Sequence, residues 1–119
     1  PQRYVQDKSG NPLIAAGFML TADQWLGIGR LMLSQGKPVI SSSAFRQCLV
    51  GTAANPAFGL GLWNNLLATS DSGREIDFKQ LESKWTKQDW HNTCLSKSAP
   101  PDLIASIGSH GQRIYAGGL

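Results

Sequence analysis

The string Gly108-Ser109-His110-Gly111-Gln112 sets a hydroxyl and an imidazole between two glycines, directly before the β-prone run Arg113-Ile114-Tyr115. Glycine lets a backbone come close to a ligand and leaves its N–H groups uncovered. A strand edge with bare N–H donors can hold a developing oxyanion without using a side chain. Many strands begin with spaced glycines for steric reasons alone. The string therefore gains chemical meaning only in company with other segments.

The remaining candidates are weaker. Ser34-Gln35-Gly36-Lys37 has the Ser-x-x-Lys form of a penicillin-recognising nucleophile. That chemistry needs the serine at a helix start and the lysine one turn later on the same face. Here Ser34 ends a predicted helix, and Gly36 and Pro38 prevent a further turn, so the match is set aside. Ser70-Asp71-Ser72 is close to Ser-Asp-Asn, but it falls in a predicted turn. Ser109 and His110 are neighbours, and neighbours on a strand point to opposite faces, so they are not expected to form a nucleophile–base pair. Asp23, His91 and Asp102 have no sequence reason to converge. The chain alone is expected to be inactive.

Cys48 and Cys94 share no Cys-x-x-Cys spacing, and His91 and His110 are too few for a metal cluster. No metal and no cofactor are expected. The cysteines are either two buried free thiols or one disulfide of an oxidising compartment.

At 119 residues the chain is one domain or a piece of one. It is 41% hydrophobic and 16% charged, which is ordinary for a globular protein. The net charge of +3 is mild, and the basic residues are spread along the chain rather than clustered, which argues against a nucleic-acid partner. No run reaches the roughly 18 apolar residues of a membrane span. Pro1-Gln2-Arg3-Tyr4 has neither an initiator Met nor an apolar leader, so a processed or truncated chain is expected.

Residues 1–12 are polar and turn at Lys8-Ser9-Gly10-Asn11-Pro12, and 13–20 is a short apolar run. A helix is predicted over 22–34. Thr21 suits the N-cap, Gln24 completes a capping box, and Asp23 suits the positive end. Its buried face is predicted to hold Trp25, Leu26, Gly29, Met32 and Leu33, with Ile28 on the flank. Gly36 and Pro38 stop it. Ser41-Ser42-Ser43 opens a short capped helix. Residues 58–67 are predicted as a strand, with Gly59 and Gly61 baring one face and Phe58, Leu60 and Leu62 lining the other. This face should pack against another backbone or a helix, and helix 22–34 is expected on the sheet holding 58–67 and 112–116. A turn at 69–73 leads to a predicted helix over 77–95, capped by Asp77, with a seam of Phe78, Leu81 and Trp85. Residues 96–101 read as a linker, and 102–107 as a short turn or the lead into a strand.

Three of these segments, in order, resemble the C-terminal part of the class C β-lactamase-like serine hydrolases, a superfamily that includes penicillin-binding proteins, esterases and oligoamide hydrolases. The first, from Ala16-Gly17-Phe18-Met19-Leu20-Thr21-Ala22-Asp23-Gln24-Trp25 to Gly36, is similar to the family's Gly-Gly-Leu-x-x-Thr-Ala-x-Asp-Leu-Ala helix start. The second, Phe58-Gly59-Leu60-Gly61-Leu62-Trp63, is similar to its Tyr-Gly-x-Gly-Trp-Trp strand. The third, 102–115, is similar to its late Gly-x-x-Gly-Gln-x-Ile-x-Val strand. The likeness covers about 13–67 and 98–116, and 69–97 looks like a variable insertion.

The resemblance implies an α/β (α+β) fold of β-lactamase/transpeptidase type, an antiparallel sheet flanked by helices, of which 1–119 is the C-terminal half. It implies a serine hydrolase working through an acyl-enzyme, with the nucleophilic Ser-x-x-Lys and a Tyr upstream of everything seen here. Ser109-His110-Gly111 corresponds to the family's third motif. On that basis the Gln112 N–H is one oxyanion donor beside Gly111, and Ser109 and His110 contact substrate. Ser109 replaces the family's Lys or His. Loss of that cation weakens recognition of a β-lactam carboxylate and points to small ester or amide substrates. The implied partner is the missing N-terminal part of the domain. The sequence does not fix the compartment; periplasmic or secreted is favoured over cytoplasmic. The third strand stops short at Ala116-Gly117-Gly118-Leu119, so truncation at both ends is expected. Two other readings stay open: a non-catalytic binding or scaffold domain of the same fold, and an unrelated small α/β domain.

Overall fold

A computed structural model describes residues 3–14, 17–79 and 87–117. Among these residues the chain is a small mixed α/β domain with antiparallel sheets and two helices. In chain order the elements are β1 (Arg3–Tyr4), β2 (Phe18–Met19), α1 (Ala22–Leu33), α2 (Ser42–Gln47) and β3 (Trp63–Asn64). A 3-10 turn (Leu66–Thr69) follows, then β4 (Arg74–Glu75), β5 (Thr93–Cys94), β6 (Ile104–Ile107) and β7 (Arg113–Ala116). No helix is long and apolar enough to cross a membrane among the described residues.

The predicted capping box sets the start of α1. Thr21 Oγ1 accepts from the Gln24 N–H at 3.2 Å, and Gln24 Oε1 accepts from the Thr21 N–H at 2.9 Å. Ser34 ends the helix, with its hydroxyl hydrogen-bonded to the carbonyls of Leu31 and Lys37, and so does not head a Ser-x-x-Lys helix. Ser41 caps α2 through the Ala44 N–H.

The central sheet runs β3-β6-β7, antiparallel throughout. Helix α1 lies on β7, where Met32, Phe45, Ile114 and Ala116 form one core cluster. The expected face is corrected in part. Trp25 and Ile28 pack against this cluster, whereas Leu26 and Leu33 are 59% and 45% exposed. At 3.6 residues per turn, Leu26 and Leu33 lie roughly a third of a turn around the axis from the line through Trp25, Ile28 and Met32.

The predicted strand over 58–67 is also corrected. Phe58 bridges back to Trp63, the Gly59 N–H donates to the Leu62 carbonyl at 2.9 Å, and only Trp63–Asn64 joins the sheet. The alternating glycines serve two different needs. A Cβ on Gly59 would sit 2.2 Å from the Cys48 carbonyl oxygen, so a backbone does approach it closely. Gly61 instead supplies the left-handed φ of +86° that reverses the chain.

The helix predicted over 77–95 is not formed in 89–95: Thr93–Cys94 pairs in parallel with Arg74–Glu75. The stretch 80–86, with Leu81 and Trp85, lies outside the described residues. Around Trp63, a second cluster of Ala57, Ile76, Leu95 and Ala105 is tied by buried amides rather than by long elements. Asn65 is fully buried, and its Nδ2 donates to the carbonyls of Ser96, Ala99 and Pro100 at 2.9, 3.2 and 2.9 Å. Its Oδ1 accepts the N–H groups of Leu95 and Ser96 at 2.8 and 2.9 Å. Asn64 Nδ2 donates to the carbonyls of Leu49 and Pro56. Cys48 and Cys94 are free thiols, and burial pushes the Cys94 thiol above its usual pKa.

Candidate functional site

The third motif segment is a β-hairpin. Strands β6 and β7 pair from Ile104↔Ala116 to Ile107↔Arg113, and 108–112 makes the turn. His110 and Gly111 have φ of 55° and 76°, and the Gln112 N–H donates to the Ser109 carbonyl at 3.2 Å. Two successive positive φ values give the turn the twist that matches paired strands. The Gly108 N–H donates to the Gln112 carbonyl at 2.9 Å, so Gly108 and Ser109 together face Gln112 as a bulge. The Arg113 guanidinium donates to the carbonyls of Gly108 and Gln112 and braces the turn from outside.

This geometry changes the reading of each site residue. Ser109 and His110 do not stand on a regular strand, and their side chains meet, with Ser109 Oγ 3.2 Å from His110 Nδ1. Gly111 is required by its φ, since a Cβ there would have open space around it. The Gln112 N–H, expected as an oxyanion donor, is engaged within the turn.

The turn opens on a cleft of about 920 Å³. Ser106, Ile107, Ser109, His110 and Gln112 of the hairpin line it. So do Phe18, Met19 and Leu20 and, from α1, Trp25 and Ile28. The sequence reading placed Trp25 in the core. It missed Ile28 because helical spacing alone does not tell which residues of a buried stripe border a cleft, and Ser106 because 102–107 reads only as a turn or the lead into a strand.

Elsewhere, Asp89 bridges Arg74 at 3.1 Å and His91 Nδ1 at 2.9 Å on an exposed surface. Hydrogen bonds from the His91 backbone and ring, with Arg74 nearby, hold the Asp89 carboxyl below the usual carboxylate range. Among the described residues, no group of three or more His, Cys, Asp or Glu could hold a metal ion.

Neither the protein-family models nor the searches of curated proteins and solved structures give a match to this chain.

Proposed function

We propose that the chain is the C-terminal part of a β-lactamase-like serine hydrolase, cleaving ester or amide bonds through an acyl-enzyme whose nucleophile lies upstream. One observation carries this reading. The first and third motif segments, far apart in sequence, line the same cleft. In the complete site a serine Oγ from the upstream segment attacks the substrate carbonyl carbon. The carbonyl oxygen takes up negative charge, the alcohol or amine leaves, and water then hydrolyses the ester formed on the serine. The Gln112 N–H stabilises the oxyanion together with the N–H of the nucleophile, and Ser109 and His110 contact the substrate. To do so, the Gln112 N–H exchanges its 3.2 Å bond to Ser109, at the long end for N–H···O, for the charged oxygen.

Mass spectrometry of the full natural gene product after a fluorophosphonate probe tests the proposal. A covalent adduct on a serine upstream of this chain supports it, and a folded protein that takes no adduct overturns it. The engaged Gln112 N–H favours one alternative, a non-catalytic binding domain of the same fold, which would bind ligand in the cleft and take no adduct.

A further inference from the structure

We infer that the cleft selects uncharged substrates, namely an ester or amide whose hydrocarbon or aryl group lies against Trp25 and Ile28 and which carries no carboxylate of its own. The inference deepens the hydrolase reading and rests on it. Its ground is the chemistry of the walls. Phe18, Met19, Trp25, Ile28 and Ile107 supply apolar surface, and Ser109, His110 and Gln112 supply polar groups. No Asp, Glu, Lys or Arg lines the cleft among the described residues.

The cations near it are directed elsewhere. The Arg113 guanidinium is held through Nη1 on the carbonyls of Gly108 and Gln112 and does not line the cleft. Arg3, across the β1–β2 pair from Met19, lines a separate recess with Tyr4 and Val5. A carboxylate entering the cleft would lose water and gain no ion partner, which is costly. A neutral aryl or alkyl group would lose only water from apolar surface, which is favourable. A few polar groups set in a mostly apolar pocket are what fix the orientation of a small neutral ligand.

The test is a matched pair of stable amides, N-methyl-4-phenylbutyramide and the same compound with a para-carboxylate on its ring. Each is titrated into the protein at about pH 8, above the range in which imidazole normally titrates. Binding is read by NMR at the Trp25 indole and the methyl groups of Ile28 and Ile107. The neutral amide is expected to shift these signals, and the carboxylated amide to bind about tenfold more weakly or worse.

Met19 is 60% exposed on the lip of the cleft, so Met19→Lys can add a cation without disturbing the core. This variant is expected to narrow the gap between the two amides. Equal binding of the pair overturns the inference, as do shifts confined to other residues, no binding of the neutral amide, or a gap that Met19→Lys leaves unchanged. The titration needs no nucleophile, so its failure is distinct from the failure of fluorophosphonate labelling: the first removes the selectivity and leaves the hydrolase reading, and the second removes the hydrolase reading and with it the word substrate.

Discussion

Around Met32 the chain is held by a capped helix lying on a hairpin, whereas around Trp63 it is held by loops that converge on the side chains of two asparagines. In the first region the helix and hairpin satisfy most backbone groups themselves, and polar side chains serve only at their ends, as caps and at the turn. In the second, two-residue strands leave carbonyl and N–H groups that would otherwise be buried unpaired, and the Asn64 and Asn65 amides take them up. The lesson is that similar burial can rest on different chemistry. One region should tolerate loss of a polar side chain and the other should not.

The sharpest way to break this comparison is Asn65→Ala. It strands several buried partners at once and should cost about 3–4 kcal/mol in a denaturant melt. A loss smaller than that of Met32→Ala would remove the distinction between the regions.

Gln112→Pro tests the hairpin that borders the helical region. In the full-length protein, on the proposed hydrolase reading, it should lower kcat by about 10²–10³-fold by deleting the N–H, while Gln112→Ala stays mild. Steady-state kinetics on both variants, with melting curves to show that they fold, decide it. Equal damage from both would assign the role to the side chain.

Met32→Ala should destabilise by about 2–3 kcal/mol, the usual result of opening a cavity in an apolar core. Thr21→Ala should cost about 1 kcal/mol through the lost cap, read from the same melts. If Thr21→Ala matched Asn65→Ala, hydrogen bonds of local and long range would weigh alike here.

The same contrast explains what could be read in advance. Helix α1 announced itself through Thr21, Gln24 and the stop at Gly36, because capping and periodicity are local. Strand β7 was legible in Arg113-Ile114-Tyr115, and the short helix after Ser41 in its serines. The region around Trp63 was not legible. An alternating glycine pattern fits a bare strand face and a tight reversal equally well, and only the φ of Gly61 separates them. Nothing local marks Asn65 as buried, since its partners lie 30 to 35 residues away. The parallel pairing of β4 with β5 joins two-residue strands too short for any periodicity. Within the candidate site, the turn was legible from its glycines. The contact between Ser109 and His110 was not, because it depends on His110 leaving the extended conformation.

The direction of the Asn65 bonds matters during synthesis. Every partner of its amide lies later in the chain, from Leu95 to Pro100, and β3 likewise waits for β6. A ribosome makes about 5–20 residues per second, so the segment around Trp63 spends seconds outside the tunnel with its clamp empty. The β6–β7 hairpin, whose partners are neighbours, closes in about 1–10 μs once made. Helix α1 waits longer still, for Ile114 and Ala116 of that hairpin, so in a cell both core regions stay open to a chaperone until the last strand is made.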